Sequence, residues 1–285
     1  MTDPASWQLS EGDAITAELT AVRRLGGGSA YEAYLAFDDV TYGPVVVKVL
    51  RPDQVDDEHS LRGLAREVEA LRTVNHPVVV RELRHDLVGP RPHVVLEQVD
   101  GPRLSTLIRR YGPLQQQQYL PLAIEVAGAL HYLRRIDWVH LDIKPSNVIM
   151  GAPARLIDLS VARPTVEAAR TVLIGTDAYM SPEQCDPEWH GEPGPASDVW
   201  GLAATLFEAV AGYRAFAGPP ADHPQRIEDP LDLPAGVPPE VAKVVQAGLD
   251  RVPANRPLPH EVAEALQPVL ERQPPVRLGG ALRAR

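Results

Sequence analysis

The segment Val139-His-Leu-Asp-Ile-Lys-Pro-Ser-Asn147 decides how this chain is read. It places a carboxylate (Asp142), an ammonium (Lys144) and a carboxamide (Asn147) in one short loop between a helical pattern and a β-like run. Such a loop can present a base, a cation and a metal-binding oxygen to a single point. Eleven residues past Asn147, Asp158 ends the strand-like run Arg155-Leu-Ile-Asp158. Asn and Asp are hard oxygen ligands, suited to Mg²⁺ carrying a phosphate and not to zinc. Any one of these groups could be an ordinary loop residue; their order and their neighbours carry the reading.

Upstream, Gly26, Gly27, Gly28 and Ser29 form a turn signal before the β-patterned run Tyr31–Phe37, and Val45-Val-Val-Lys-Val-Leu50 is a second such run. A glycine turn lets backbone N–H groups approach phosphate oxygens, although three glycines alone are more often just a hairpin loop. Lys48 sits in the second run, where an isolated lysine is normally solvated. Leu61, Leu64, Val68 and Leu71 then recur at helical spacing, and Glu67 on that helix offers a carboxylate to a buried ammonium.

Strands are expected over 78–83 and 93–99, followed by a hinge-like break at Asp100-Gly-Pro-Arg103. The character then turns helical, with a stripe of Leu122, Val126, Leu130 and Leu133 and later helices over 198–212, 238–249 and 259–271. Gln115–Gln118 and the Pro-rich stretch 217–239 are read as loop or surface features.

The chain has 285 residues and a formal net charge of −10, a poor basis for general nucleic-acid binding. Cys185 is its only cysteine, so no intramolecular disulfide forms, which suits a reducing cytoplasm. There is no signal-peptide pattern at the N-terminus and no apolar run long enough to span a membrane. Lys48, Lys144 and Lys243 are the only lysines among 28 basic residues, as though lysine is retained where a compact ammonium is required.

With these motifs in this order, the chain resembles the eukaryotic-like (Hanks-type) serine/threonine protein kinases over roughly residues 15–271, in particular their bacterial branch. The resemblance implies an α+β, two-lobed protein kinase fold: a small antiparallel N-lobe sheet with the αC helix over 15–99, and a larger helical C-lobe over 100–271. Residues 1–14 are expected to be an N-terminal extension and 272–285 a mobile, Arg-rich tail. It further implies ATP with Mg²⁺ (Mn²⁺ as a substitute) as cofactors, and protein Ser/Thr hydroxyls as acceptors. Gly26 and Gly28, with Gly27 and Ser29, match the phosphate-covering loop; Lys48 matches the lysine on the α/β-phosphates and Glu67 its partner. Ala33, Val46, Glu97, Val99 and Ile149 fall where the family surrounds adenine, and Leu96 takes the gatekeeper place. Asp142 matches the catalytic base, Lys144 the lysine on the γ-phosphate, and Asn147 and Asp158 the two metal ligands. Gly175-Thr176 and Ser181-Pro-Glu183 match the peptide-docking segment, Asp198 a buried helix aspartate, and Arg256 the partner of Glu183.

The sequence departs from the family at several places. Tyr31 stands at the third glycine of the phosphate loop, where it should stiffen the turn. Leu141 replaces the arginine that grips a phosphorylated activation loop, so activity independent of such phosphorylation is expected, with Thr171 the best candidate for autophosphorylation. Asp158-Leu-Ser160 replaces D-F-G. A pseudokinase scaffold is the main rival reading; it would be favoured by loss of Lys48, Asp142 or Asp158, and all three are present. A small-molecule kinase is disfavoured by the peptide-docking match. The resemblance implies protein substrates, the chain itself among them, and the sequence implies neither a nucleic-acid nor a membrane partner; the oligomeric state is not legible.

Overall fold

The computed structural model describes residues 5–274 of the chain. In the N-terminal lobe the strands are β1 (Leu19–Gly27), β2 (Tyr31–Asp38), β3 (Gly43–Leu50), β4 (Glu82–Asp86) and β5 (His93–Glu97), with helix α1 (Glu58–Thr73) between β3 and β4. They form one antiparallel sheet in the order β1-β2-β3-β5-β4. Strand β3 reads as a continuous apolar run because both of its faces are covered. Val45, Val47 and Val49 point to an outer core with Tyr34, Ala36 and Val95, whereas Val46 and Leu50 pack on the side of α1. Lys48 alternates with the valines and so falls on the α1 side, facing the cleft.

The outer face is closed by the segment before β1. Trp7, Leu9 and Ile15 cover the valines, and Trp7 Nε1 donates to Leu50 O at 2.8 Å. Buried Glu32 accepts from Ser6 Oγ (2.6 Å) and Trp7 N (3.0 Å). Packing on the sheet therefore begins ahead of residue 15, through Trp7 and Leu9, while residues 10–14 are exposed. The short polar stretch carries too little periodicity to announce this.

Helix α1 starts three residues earlier than its apolar stripe, because Asp57 caps it by accepting from Ser60 N at 2.8 Å. The strand expected over 78–83 is displaced to β4. Val78, Val79 and Val80 instead pair with Leu156: Val80 N donates to Leu156 O (2.9 Å) and Leu156 N to Val78 O (2.6 Å). Their β-branched side chains are buried between the lobes and do not extend the sheet.

The C-terminal lobe contains α2 (Leu104–Tyr111), α3 (Gln116–Arg135), β6 (Trp138–Val139), β7 (Val148–Ile149), β8 (Arg155–Leu156), β9 (Arg163–Pro164), α4 (Thr165–Ala168), α5 (Pro182–Cys185), α6 (Pro187–His190), α7 (Pro195–Ala211), α8 (Pro239–Gly248) and α9 (Pro259–Glu271). Gln115–Gln118, expected as loop, forms the N-cap and first turn of α3, where Gln115 and Gln118 satisfy each other's backbone. Helix α7 is apolar almost all round and forms the centre of this lobe, with Trp200, Leu206 and Phe207 fully buried. Among the described residues no helix is long and apolar enough to cross a membrane. The Arg-rich tail beyond residue 274 lies outside the described residues.

Two features yield tests of this packing. Glu183 and Arg256, both fully buried, are joined bidentately at 2.6 and 2.8 Å, with Ser197 Oγ donating to Glu183 and the guanidinium lying over Trp200. Removing one partner strands a buried charge, so Glu183→Ala is expected to cost about 3–5 kcal/mol in urea unfolding. Cys185 is buried and its thiol is pushed up to about 12 by that burial. Native protein should therefore resist a thiol-colouring reagent at pH 8, and react stoichiometrically once unfolded.

Candidate active site

Two polar clusters gather the residues that the sequence singled out. In the first, Lys48 Nζ donates to Glu67 Oε1 (2.6 Å), Glu67 Oε2 (2.8 Å) and Asp158 Oδ1 (2.8 Å). These three groups come from β3, from α1 and from the segment after β8, so one ammonium ties the sheet, the helix and the C-terminal lobe together. Burial works against the charge on Lys48, but Asp158 and Glu67 outweigh it and hold the ammonium well above its ordinary range. Burial likewise opposes ionisation of Asp158, yet Lys48 keeps that carboxyl well below the usual carboxylate range. Glu67 is pushed upward by burial, with Lys48 pulling the other way. The Asp158 side chain stays one-third exposed (34%), which leaves its second oxygen open to a ligand.

The second cluster is built on the loop after β6. Asp142 Oδ2 accepts from Lys144 Nζ (2.7 Å) and Asn147 Nδ2 (3.0 Å), and Asp142 Oδ1 accepts from Thr176 Oγ1 (2.7 Å). Lys144 Nζ also donates to Thr176 Oγ1 at 2.5 Å. Asn147 Nδ2 further donates to Asp142 O, so the amide nitrogen is committed and the carbonyl oxygen is the end available to a cation. An Asn carbonyl and a free Asp158 oxygen make a hard-oxygen set that fits a Mg²⁺-type ion.

The loop holds its shape through Asp198, at the N-terminal end of α7. Its two oxygens accept from His140 N (2.8 Å) and Leu141 N (2.7 Å). Leu141 has φ of 63° and Asp158 of 70°, left-handed values that cost a side chain of the order of 1–2 kcal/mol. Asp198 offsets this at Leu141, and Gln184 Nε2 adds bonds to Leu141 O (2.9 Å) and Ile174 O (2.7 Å). Leu141 itself packs with Val139 and Ala168, against Val161 and Ile174. Leu141 thus belongs to a small apolar cluster that fastens residues 161–174 to the loop after β6.

At the glycine turn, Gly27 excludes a side chain by contact, since a Cβ there would lie 2.4 Å from Tyr31 O, and Gly26 disfavours one by its backbone. Gly26 has φ of 148°, and Gly28, like exposed Ser29, faces open space. Register places Ala33 opposite Lys48 and Val46 opposite Leu35, so Ala33 and Val46 are diagonal neighbours on the cleft face, where a small-for-large exchange conserves volume.

The Glu97 carboxylate is occupied: it binds Arg81 Nη2 (3.1 Å) and Arg155 Nη2, and Glu97 N donates to Arg81 O. What remains for a ligand at the end of β5 is main chain, with Val99 two residues beyond the strand. Ile149, nearly buried, is brought against this hinge because Gly101 (φ 133°) has no side chain: a Cβ would meet Met150 O at 2.2 Å. The hinge-like break expected at Asp100-Gly-Pro-Arg103 includes this glycine; its close approach to Met150 is what the sequence did not show. Thr171 lies in the turn after α4, its N–H and hydroxyl both donating to Ala168 O at 2.9 and 2.8 Å.

Comparison with known proteins gives the family. The protein kinase domain profile matches residues 19–279. The serine/threonine-protein kinase PknK of Mycobacterium tuberculosis is 34% identical over 266 residues, covering 88% of this chain and 23% of that protein. The serine/threonine-protein kinase PknB of Mycobacterium leprae is 30% identical over 252 residues, covering 81% of this chain and 39% of its own length. The chain thus spans well under half of the relatives it matches. With the ordered motifs, the two polar clusters and the two-lobed fold in agreement, the chain belongs to the protein kinase family.

Proposed function

We propose that this chain is an ATP-dependent serine/threonine protein kinase, working with Mg²⁺ and accepting Mn²⁺. The observation that carries the reading is the hydrogen-bonded set Asp142–Lys144–Asn147–Thr176, with Asp142 receiving a hydroxyl at 2.7 Å. A substrate Ser or Thr presents the same type of donor to the same carboxylate.

Asp142 orients the incoming hydroxyl and takes its proton as the oxygen–phosphorus bond forms and the bond to the ADP leaving group breaks. Lys144, fixed by Asp142 and Thr176, adds positive charge beside the phosphoryl group in transit. Lys48, held in place by Glu67, aligns the nucleotide's phosphates. Asn147 and Asp158 hold the metal, which supplies charge neutralisation to the phosphates when bound. The glycine turn at 26–29 covers the phosphates with main-chain N–H groups, and Ala33, Val46 and Ile149 enclose the base, with the main chain at Glu97 and Val99 recognising its edge. Proteins are the acceptors, the chain itself included. A location in the cytoplasm fits the single buried thiol.

Leu141 supports activity without activation-loop phosphate. An arginine at this place needs a phosphate to neutralise it; a leucine needs only apolar neighbours, and Val139, Ala168, Val161 and Ile174 supply them.

Purified protein given Mg·ATP and a generic basic protein should place phosphate on Ser or Thr, mapped by mass spectrometry. Asp142→Asn is expected to lose roughly 10²–10⁴-fold of that transfer while nucleotide affinity survives. Transfer that persists undiminished in Asp142→Asn, or its absence from the parent protein despite nucleotide binding, counts against the reading. Thr171→Ala should turn over at the parent rate in steady-state phosphate transfer; collapse of the rate would show that loop phosphorylation is required after all.

A further inference from the structure

Tyr31 stands first in β2, and strand alternation puts it on the same face as Ala33, the register partner of Lys48. Its ring covers the ammonium, with Lys48 Nζ 4.9 Å from the centroid. At this distance the ring's negative face attracts the charge and shields it from water. The Lys48 side chain is left 14% exposed and Glu67 1%.

The far end of the same side chain reaches α1. A Cβ added to Gly63 would sit 3.1 Å from the Tyr31 hydroxyl, tighter than the hydroxyl tolerates without moving. Gly63 lies in the interior of α1, where glycine is among the poorest helix formers, and Gly63 is not among the residues with positive φ. The backbone therefore has no need of glycine there; the room it leaves is used by Tyr31. Burial first, and then Glu67, push the Tyr31 phenol up to about 12, so it stays neutral over the working range. The turn leading into Tyr31 is pinned as well, since Arg51 Nε donates to Gly28 O (2.7 Å) and Arg51 N to Ala30 O (2.9 Å).

The geometry points to Tyr31 as a positioning residue, paired with Gly63: it braces α1 against the sheet and roofs Lys48, so that the Lys48–Glu67 pair stands assembled before nucleotide arrives. The catalytic consequence rests on the kinase reading above; the structural coupling does not. Activation by inward movement of α1 is then unnecessary, because the phosphate loop itself holds the helix in place.

The test is a cycle of Tyr31→Phe, Gly63→Ala and the double variant, with Tyr31→Ala alongside. Thermal melts and amide hydrogen exchange of residues 58–73 are read without nucleotide. ATP KM and kcat are read separately. Helix propensity alone would make Gly63→Ala raise Tm in every background. The pairing instead gives no gain or a loss with Tyr31 present, and a gain of a few degrees once Tyr31→Phe removes the hydroxyl. Tyr31→Ala should speed exchange across 58–73 several-fold and raise ATP KM about tenfold, with kcat at saturating ATP changed less. Additive effects of Gly63→Ala and Tyr31→Phe, with exchange in Tyr31→Ala unchanged, would overturn the proposal. Should Tyr31→Ala fail to fold, the Phe and Ala cycle still decides it. A parent protein without kinase activity would sink the functional reading only, leaving melts and exchange to judge the brace.

Discussion

One buried ammonium organises this molecule. Lys48 is held between Glu67 and Asp158, at 2.6 and 2.8 Å, and those carboxylates are 19 and 110 residues away along the chain. Each group alone would be costly to bury; together they satisfy one another, and breaking such a set leaves an uncompensated charge worth about 3–5 kcal/mol. The position of α1 against the sheet, and of the Asp158 segment against both, follows from that single charge. Strand β3 presents Lys48 because its outer valines are covered by Trp7 and Leu9, so even residues ahead of the first strand serve the same point.

The second cluster depends on a different device. A loop that carries Asp142, Lys144 and Asn147 at one point must turn sharply, and Leu141 takes a left-handed conformation to make the turn. Side-chain oxygens of Asp198 bind the two amides there, from a helix that is itself packed on all sides. The segment 174–184 is tied to the same lobe by the Glu183–Arg256 pair and by Gln184, which bridges Leu141 and Ile174. Strain in the loop is thus held by groups anchored in the buried centre of the C-terminal lobe, the usual condition for a preorganised site.

Departures from the family pattern fall where one part of the structure substitutes for another. Leu141 exchanges an ion pair that needs phosphate for apolar contacts that do not. Leu159, in place of phenylalanine, is still fully buried in the main core. Tyr31, in place of glycine, fills space that Gly63 vacates on the facing helix. At Leu141 and Tyr31 the changed side chain is accommodated by neighbours on other segments, Ala168 and Ile174 in one case and Gly63 in the other.

The sequence by itself determined which chemical groups are present and in what order. Asp142, Lys144, Asn147 and Asp158 are hard-ligand and proton-transfer chemistry at fixed spacing, and the helices expected over 198–212, 238–249 and 259–271, found over 195–211, 239–248 and 259–271, are written in apolar periodicity that local geometry must obey. Periodicity reports that a face is buried, but not what buries it. That is why Val78–Val80, within the expected strand 78–83, were found pairing with Leu156, and why Trp7 and Leu9, within the expected extension 1–14, were found packed on the sheet. Tertiary structure alone decided that Lys48 serves two carboxylates, that Leu141 is the hub of an apolar clasp, and that Tyr31 rests against Gly63. These are contacts between segments far apart in the chain, set by packing and by the mutual neutralisation of buried charge, and no local pattern encodes them.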